Sequence, residues 1–460
     1  MQEHINYSNL VARHQDYFQS QKTRSLEFRL LQLNQLRQGI LKYEDDIIEA
    51  LRIDLGRHPQ ETYSTEIGFC LSNIRSMEKK LPKYMKKEHV RTPLVLLPSK
   101  SYSIYEPYGT ALIMGPFNYP FQLLIEPLIG AIAAGNCAVL KPSEMVPNFS
   151  RVITEMIEDT FESQYISSVE GDIETNTALL ECKFDTIFFT GSTQVGKIVM
   201  KKAAEHLTPV TLELGGKSPA IVTKDADIKR AARRIIYGKT LNAGQTCVAP
   251  DYVLVDETIK ETFVNECKQV LFDFYGTDCE RSDSFSRIVN ERHFNRLTEL
   301  IEASRTELLS GGHTNPTSRF IEPSLFASSW DSPLMQDEIF GPLLPILSYQ
   351  SLEESINEIN KRPKPLALYV FSKDKKIQDS IINRTSSGGV TINNTIFHLV
   401  SDKLPFGGVG DSGIGHYHGK YSFETFSHKR AVLKTTRFDV PFITPPYSMK
   451  KLSLIKKIMK

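Results

Sequence analysis

One cysteine stands in a setting typical of a nucleophile. Cys247 lies in the run Leu241-Asn-Ala-Gly-Gln-Thr-Cys-Val-Ala-Pro250, where small residues and turn formers let a backbone approach a substrate closely. Upstream, Glu213 begins a glycine turn with the sequence Glu-Leu-Gly-Gly-Lys-Ser-Pro. A thiol and a carboxylate, each in a tight loop, indicate covalent catalysis by a nucleophile with a base. Without that context, a single cysteine is more often a small buried apolar residue.

A second set of polar side chains stands in tight turns. Asn118 lies between prolines in Gly115-Pro-Phe-Asn-Tyr-Pro120, and its amide could donate to the oxyanion formed when Cys247 attacks a carbonyl. A preorganised donor of this kind contributes about 10²–10³ in kcat. The alternative is a turn-capping asparagine, which is the commoner role. Glu338 in Glu-Ile-Phe-Gly-Pro offers a further carboxylate, and the stretch from Pro405 to Gly415 is dense in glycine, as expected where backbone passes close to a substrate or cofactor.

Two loops at strand ends suit a nucleotide. Gly191-Ser-Thr-Gln-Val-Gly196-Lys197 follows a strand and opens a helix, where free amides form an anion site. Ile198 stands where a P-loop needs Ser or Thr, and the GxxxxG spacing differs from the GxGxxG fingerprint, so an ordinary strand–helix turn stays an alternative. Lys141 and Glu144, in Lys-Pro-Ser-Glu after another strand, could reach ribose hydroxyls. They could equally be surface charges on a solvated turn.

Composition indicates an ordinary globular chain of 460 residues, long enough for two or three domains of about 150 residues each. A net charge of +1 gives no reason to expect a nucleic-acid partner. Six scattered cysteines without a CxxC pair argue against a disulfide framework or zinc site and favour a reducing compartment. No signal peptide is visible, and the apolar stretch from Leu123 to Leu140 is too interrupted to span a membrane, so we expect a cytoplasmic protein. His416 and His418 have metal-ligand spacing but no third ligand nearby, so no metal is expected.

Hydrophobic periodicity predicts two helices within residues 22–55, with a break near Lys42-Tyr-Glu-Asp. Residues 90–108 then alternate between β-formers and prolines, which predicts extended strands, with a projecting hairpin as one arrangement. From Gly109 onward, short apolar strands alternate with helices, a pattern that predicts a parallel α/β sheet covered on both faces. The predicted strands lie at 110–114, 138–141, 186–190, 220–222, 252–255 and 431–436, and a helix at 228–237.

Together these segments resemble the aldehyde dehydrogenase superfamily over almost the whole chain. GPFNYP, KPSE, FTGSTxVGK, ELGGKSP, GQTC, EIFGP and PFGGVGDSGIG occur in the family's order and approximate spacing. The form GQTCVAPDY, the short N-terminus and the Pro445-Pro-Tyr ending look most like the class 3 branch of fatty and aromatic aldehyde enzymes, which are typically dimers. The resemblance implies an α/β fold with a Rossmann-type cofactor domain (1–84 and 106–212), an α/β catalytic domain (213–420), a small β oligomerisation arm (85–105 and 421–445) and a basic tail (446–460).

The resemblance also implies residue roles. Cys247 would be the nucleophile, Glu213 the base that activates water, and Asn118 with the Cys247 amide the oxyanion donors. The implied cofactor-binding residues are Lys141, Ser143, Glu144, Gly191, Ser192, Thr193, Gly196, Glu338 and Phe340. The implied substrate-tunnel residues are Tyr119, Leu241, Ile396 and Phe406. These assignments predict NAD(P)-dependent oxidation of long-chain aliphatic, apolar or aromatic aldehydes to carboxylic acids through a thiohemiacetal and a thioester.

The Glu144 carboxylate favours NAD, because it accepts ribose hydroxyls and repels a 2′-phosphate, although class 3 enzymes often accept both cofactors, so we expect NADP to be tolerated. A coenzyme-A-acylating enzyme is an alternative, but such relatives commonly lack the counterpart of Glu213. A catalytically silent structural relative is another, although Cys247 and every cofactor loop are retained.

The last residues, 450–460, are basic and amphipathic. They could rest on an anionic membrane surface, or form a frayed or protein-docked terminus.

Overall fold

The computed structural model describes residues 7–93, 96–435 and 443–459. Residues 1–6, 94–95 and 436–442 lie outside the described residues, as does Lys460, and these positions include parts of the predicted cofactor domain, oligomerisation arm, last strand and tail.

Helices occur along the whole described chain and carry most of its N-terminal quarter. They are α1 (Tyr7–Gln19), α2 (Leu26–Lys42), α3 (Glu44–Leu55), α4 (Pro59–Thr62), α5 (Gly68–Tyr84), α6 (Gln122–Ala134), α7 (Pro147–Thr160), α8 (Ile173–Leu180), α9 (Thr193–Glu205), α10 (Ile228–Thr240), α11 (Lys260–Tyr275), α12 (Glu291–Ala303), α13 (Leu352–Asn360), α14 (Lys375–Arg384), α15 (Lys420–Thr425) and α16 (Met449–Ile458). Short 3₁₀ turns lie at Lys22–Arg24, Leu241–Gly244, Glu257–Ile259, Cys279–Arg281, Arg305–Glu307, Pro333–Met335 and Phe397–Val400, and a π turn at Tyr63–Ile67.

The strands lie mainly between these helices. They are β1 (Glu88–Val90), β2 (Lys100–Pro107), β3 (Thr110–Met114), β4 (Cys137–Lys141), β5 (Ile166–Ser168), β6 (Thr186–Thr190), β7 (Val210–Glu213), β8 (Pro219–Val222), β9 (Tyr252–Asp256), β10 (Leu308–Ser310), β11 (Thr314–Asn315), β12 (Phe320–Ile321), β13 (Ser324–Ala327), β14 (Leu343–Tyr349), β15 (Ala367–Phe371), β16 (Gly389–Ile392), β17 (Gly413–Ile414) and β18 (Ser427–Lys434).

The predicted helix pair at residues 22–55 is confirmed as α2 and α3. Ser25 caps the start of α2 by accepting a hydrogen bond from the Phe28 backbone amide at 3.1 Å, and Tyr43 separates α2 from α3. Gly56 ends α3 with φ 61°, a left-handed conformation that glycine adopts without strain. The residue after that turn is Arg57, which the turn directs into the protein interior.

The first sheet has the strand order β17-β7-β6-β3-β4-β5. The strands from β7 to β5 run parallel, and β17 is antiparallel to β7. Every residue of β3, β4 and β6 is buried, because a parallel sheet is covered on both faces. The prediction of a parallel α/β sheet is therefore confirmed.

The carboxyl ends of these parallel strands gather functional loops at one edge. Strands β4, β6 and β7 end at Lys141, Thr190 and Glu213, and the loop carrying Asn118 leaves β3 at the same edge. Ligands collect at this edge in open α/β sheets. The fold therefore brings four predicted site segments to one place.

The second sheet has the order β10-β13-β14-β9-β8-β15-β16. It is parallel except for the β10–β13 pair. Cys247 and Glu338 precede β9 and β14, so both belong to loops that enter the amino ends of these strands. The site therefore lies where the carboxyl edge of the first sheet meets the loops that lead into the second.

The third sheet is small and antiparallel, with the order β1-β2-β18. Strand β2 confirms the predicted strand near 102–108, and it pairs with β1 as a hairpin. Residues 91–93 and 96–99 are not strand, so the predicted extended segment there is wrong. Strand β18 pairs with β2 from Ser427↔Pro107 to Lys434↔Lys100. Among the described residues, β18 is an edge strand with most of its residues exposed. Within the same ranges, none of the helices combines the length and the apolar character needed to cross a bilayer.

Candidate active site

The loop before Cys247 has an unusual backbone. Asn242 and Ala243 have φ values of 50° and 53°, and Gly244 follows with φ 75°. Three consecutive left-handed residues are rare, and the non-glycine ones cost of order 1–3 kcal/mol each. A Cβ on Gly244 would lie 2.3 Å from the Gly341 carbonyl oxygen, so only glycine fits there. The loop is therefore a strained turn that surrounding contacts hold in place.

Cys247 lies in the wall of a cavity of about 200 Å³. All four predicted substrate residues line the same cavity, so the structure brings Tyr119, Leu241, Ile396 and Phe406 together with the thiol. The other lining residues are Ser64, Thr65, Phe69, Gln122, Leu123, Tyr237, Thr246, Val248, Phe397, Leu399, Val400, Tyr417 and His418. The Tyr119 hydroxyl is bonded to Thr246 Oγ1 at 2.8 Å, which leaves its ring as the surface that faces a ligand.

Glu213 is a buried carboxyl group without a protein partner. Its side chain is 2% exposed, and neither carboxylate oxygen has a hydrogen-bond partner among the described residues. Burial raises its pKa well above the ordinary value for glutamate. Its position is fixed through the backbone, because its carbonyl accepts from the Gly191 amide at 3.0 Å and β17 pairs with it at Gly413. In its ionised form, a carboxylate with a raised pKa is a stronger base than an ordinary glutamate, so it is suited to accept a proton from water.

The thiol of Cys247 is also held in its neutral form. Burial raises its pKa to about 12, and the charges of Glu338 and Glu213 act in the same direction. The backbone amides of Cys247 and Val248 oppose this rise. Because Glu213 acts electrostatically on the thiol, the two predicted catalytic groups share one desolvated region.

Asn118 is buried between its own loop and the loop of Cys247. Its Nδ2 donates to the backbone carbonyl of Gln245 at 3.1 Å, and its backbone carbonyl accepts from Asn242 Nδ2 at 2.9 Å. A primary amide has two N–H groups, so one remains for another acceptor. Asn118 therefore links the two loops and can also donate to a ligand oxygen.

Glu338 sits against the glycine turn that follows Glu213. A Cβ on Gly215 would lie 2.0 Å from Glu338 Oε2, and the Gly216 amide bonds to the carboxylate. Burial raises the pKa of Glu338 to about 8, and the Asp251 charge adds to the rise while Lys217 and Lys239 oppose it. Glycine at position 215 is thus needed for Glu338 to approach.

Lys141 and Glu144 face each other after β4. Lys141 is 2% exposed, and its Nζ donates to the Pro142 carbonyl at 2.7 Å and lies 3.8 Å from Glu144 Oε2. Burial lowers the pKa of Lys141. Ser143 Oγ accepts from the Met145 amide at 3.3 Å and closes the turn. An ammonium and a carboxylate at this edge are the donor and acceptor that ribose hydroxyls require.

The loop between β6 and α9 has the predicted form. Ser192 caps α9 by accepting from the Val195 amide at 3.3 Å, and Thr193 Oγ1 donates to the Asp411 carbonyl at 3.1 Å. A Cβ on Gly191 would lie 2.5 Å from the Phe189 ring, and one on Gly196 would lie 2.7 Å from Leu214. The helix N-terminus and the closeness of the backbone suit a pyrophosphate.

Phe340 has a left-handed backbone, with φ 49°, and its ring packs edge-on against Phe117 at 5.7 Å. His418 stacks on Phe406 at 5.1 Å and lines the cavity of Cys247. No group of three or more metal-ligating side chains occurs within residues 7–93, 96–435 and 443–459.

Several polar residues beside the site were not predicted from the sequence. They are Arg57, Glu61, Glu66, Asn242 and Gln245, which form a network beneath the Asn118 loop. Tyr417, whose ring lines the cavity, was not predicted either. Asn242 and Gln245 stand in the motif that identified Cys247, which was the only available signal. Charged residues on a polar helix end resemble solvated residues until the fold buries them.

Comparison with known proteins gives consistent results. A sequence model of the aldehyde dehydrogenase family matches residues 3–432. A solved structure of Staphylococcus aureus AldH in a substrate-bound state superposes with a TM-score of 0.97 at 50% identity, covering 99% of both chains. The predicted fold class is confirmed.

Relatives of known name match over most of their length. The chain is 52% identical to the 4,4'-diaponeurosporen-aldehyde dehydrogenase of Staphylococcus aureus, covering 94% of this chain and 95% of the relative. It is 47% identical to the rat aldehyde dehydrogenase named dimeric NADP-preferring (93% and 94% covered) and 45% identical to rat aldehyde dehydrogenase family 3 member A2 (92% and 87% covered). The family 3 relatives confirm the resemblance to the class 3 branch.

The raised thiol pKa predicts a pH dependence that is easily measured. Alkylation of Cys247 by iodoacetamide in the cofactor-free protein should accelerate about tenfold per pH unit between neutral pH and about pH 10, because the thiolate fraction rises up to a pKa of about 12. Glu213→Gln removes the negative charge that Glu213 carries above its own raised pKa, so it should lower the thiol pKa and speed the reaction at the alkaline end of this range. Mass spectrometry of the Cys247 peptide gives the rate, and a plateau near the ordinary thiol pKa of about 8.5 would contradict the account.

Proposed function

This chain belongs to the aldehyde dehydrogenase family, and from that premise we propose that it oxidises long apolar or aromatic aldehydes to carboxylic acids with Cys247 as nucleophile. The observation that carries the proposal is the position of the Cys247 thiol in the wall of a largely apolar cavity, within electrostatic range of the unpartnered Glu213 carboxyl. The thiol accounts for the covalent step and the carboxyl for hydrolysis.

The chemistry begins when the Cys247 thiol loses its proton to solvent and the resulting thiolate adds to the aldehyde carbon, which forms a thiohemiacetal. The free N–H of Asn118 and the backbone amide of Cys247 hold the negative oxygen, a contribution of about 10²–10³ in kcat. When bound, a nicotinamide would supply the hydride acceptor, and the oxidised adduct on Cys247 is a thioester. Ionised Glu213 then takes a proton from water, and the resulting hydroxide attacks the thioester carbon. The C–S bond breaks to release the carboxylic acid, and Glu213 passes its proton to the Cys247 sulfur, which regenerates the thiol.

The residues that would hold the cofactor fit a dinucleotide. The α9 N-terminus with Gly191, Ser192, Thr193 and Gly196 suits the pyrophosphate, and Lys141, Ser143 and Glu144 suit the adenosine ribose. Glu338 would hold the nicotinamide ribose, with Phe340 beside it. We assign NAD as the preferred cofactor because the Glu144 carboxylate repels a 2′-phosphate. NADP would be tolerated, since Lys141 lies 3.8 Å from that carboxylate and a rat relative is named NADP-preferring.

The proposed substrate class rests on the cavity. The predicted substrate residues Tyr119, Leu241, Ile396 and Phe406 are apolar or aromatic, and the described lining residues include no arginine or lysine that could pair with a second carboxylate. A relative of 52% identity is named for 4,4'-diaponeurosporen-aldehyde. Both observations favour an apolar aldehyde over the semialdehyde of an acid.

The proposed organisation follows the three larger sheets. We assign 1–84 and 106–212 to cofactor binding, 213–420 to catalysis, and 85–105 with 421–445 to an oligomerisation arm. The exposed edge of β18 and the name of the dimeric relative support a homodimer. All six cysteines are free thiols, which supports a reducing, cytoplasmic location.

The tail suits peripheral contact with an anionic membrane surface. Lys450, Lys456 and Lys457 are exposed, whereas Lys451 donates to the Thr444 and Pro446 carbonyls at 3.0 and 2.8 Å. The apolar side chains Leu452, Leu454 and Ile458 of α16 are 39%, 45% and 42% exposed. Each lysine near such a surface contributes about 1 kcal/mol.

The first experiment follows cofactor reduction with a chain-length series of aldehydes, with NAD and NADP supplied separately. Activity should rise with chain length, exceed that on succinic semialdehyde, be higher with NAD, and disappear in Cys247→Ala. Faster turnover of succinic semialdehyde than of decanal would contradict the apolar pocket. Cofactor binding without any aldehyde oxidation would favour coenzyme A chemistry or a silent relative.

The second experiment tests the tail by vesicle co-sedimentation. The full chain should bind vesicles that contain anionic lipid and not neutral ones, while a chain that ends at Tyr447 should bind neither. The matched control replaces Lys450, Lys456 and Lys457 by glutamine and should lose binding without loss of dehydrogenase activity. Equal sedimentation of the full and shortened chains would remove the proposal.

A further inference from the structure

A buried arginine with no direct part in the chemistry lies beneath the Asn118 loop. Arg57 is 0% exposed. Its Nη1 donates to Glu66 Oε1, and its Nη2 donates to the backbone carbonyl of Asn118. The guanidinium also lies 4.9 Å from the centre of the Tyr119 ring. One planar group therefore joins a buried carboxylate to the backbone of the loop that supplies Asn118 and Tyr119.

Glu66 extends this connection to the exit of the same loop. Its Oε2 accepts from the amides of Phe121 and Gln122 at 2.7 and 3.0 Å, at the start of α6. These amides have no partner within their helix, so the carboxylate satisfies them and suits the positive end of the helix dipole. The loop is thus held at Asn118 from one side and at Phe121 from the other.

A second contact ties Asn118 to the loop of Cys247. Glu61 Oε1 lies 3.6 Å from Arg57 Nε and accepts a hydrogen bond from the backbone amide of Asn242 at 2.9 Å. Asn242 Nδ2 donates to the Asn118 carbonyl at 2.9 Å and to the Gln245 carbonyl at 3.1 Å. The backbone carbonyl of Asn118 therefore accepts from two donors, Arg57 and Asn242. The side chain of Asn118 donates one of its two N–H groups to the backbone carbonyl of Gln245.

The energetics favour a role beyond stability. Burying an ion pair costs several kcal/mol per ion in desolvation, so replacing such a pair by apolar side chains is often neutral or stabilising. What an arginine adds is geometry, because its rigid fork fixes two acceptors relative to each other. Here the two acceptors are Glu66 and the backbone of the oxyanion donor.

We propose that Arg57 is a positioning residue for catalysis, which through the Asn118 carbonyl directs the second N–H of the Asn118 side chain to the oxyanion formed on Cys247. This inference rests on the proposed function, in which Asn118 donates to that oxyanion. Asn242 supports the same carbonyl from the opposite loop.

A double-mutant cycle tests this role. Arg57→Lys keeps the buried charge and its pairing with Glu66 but loses the fork, and it should lower kcat by about 10²-fold, the effect of a displacement of about 1 Å, with little change in KM for the cofactor. Asn118→Ala should lower kcat by about 10²–10³-fold. Because the alanine variant has no amide to position, adding Arg57→Lys to it should cost no more than about twofold.

A second variant and a control complete the design. Asn242→Gly removes the other donor, and glycine tolerates the left-handed backbone, so it should show the same non-additivity with Asn118→Ala if Arg57→Lys does not fold. Arg29→Lys is the matched control, because Arg29 is also buried and donates to the carbonyls of Thr23 and Ala133 at 3.0 Å. Its effect should be equal in both backgrounds.

The outcomes separate this inference from the proposed function. Full additivity of Arg57→Lys with Asn118→Ala, as for Arg29→Lys, would overturn the positioning role and leave Asn118 as the oxyanion donor. Normal activity of Asn118→Ala would overturn the role of Asn118 and the inference with it. Non-additivity confined to Arg57 and Asn242 supports both.

Discussion

The site depends on the cost of negative charge in a desolvated pocket. Cys247 and Glu213 are acids in the same buried region, and burial raises the pKa of both groups. The thiolate, the oxyanion and the ionised carboxylate therefore cannot be present together at low cost, since like charges at short range disfavour each other. In the proposed reaction, the sulfur, the oxyanion and the Glu213 carboxylate must therefore carry negative charge in different steps and not together. Fixed amides act on the first two of these positions: those of Cys247 and Val248 on the sulfur, and in the proposed reaction those of Asn118 and Cys247 on the oxyanion. Neither oxygen of Glu213 has a hydrogen-bond partner among the described residues.

Fixed amides are effective only if the loops that carry them do not move. The Cys247 loop has three consecutive left-handed residues, and Asn118 bridges it to the loop after β3. The glycine turn after Glu213 admits Glu338 at a distance that any side chain on Gly215 would forbid. These contacts join the carboxyl edge of the first sheet to the loops entering the second. The site is thus a property of the junction between the sheets.

Local sequence was enough to predict the helix pair α2–α3 and the main buried strands of the two parallel sheets. The buried strands β3, β4 and β6 are continuous apolar runs, and the glycines at 191, 215 and 244 mark places of close backbone approach. The network of Arg57, Glu61 and Glu66 could not be predicted from the sequence. The two glutamates lie four and nine residues after Arg57 near helix ends, and charged residues in such positions are usually exposed to solvent. Only the long-range packing of α6 and the Asn118 loop buries them. The packing of His418 on Phe406 in the cavity wall had no signal in the sequence either.

The central claim is that Cys247 carries the oxidised substrate as a thioester, and that hydrolysis of this thioester requires Glu213 as the base that activates water. The most direct measurement is a single-turnover experiment on Glu213→Gln with decanal and cofactor, combined with mass spectrometry of the intact chain. The account predicts that each chain reduces one cofactor and that turnover then stops, with one decanoyl group left on Cys247. Continued turnover without an acyl adduct would contradict it.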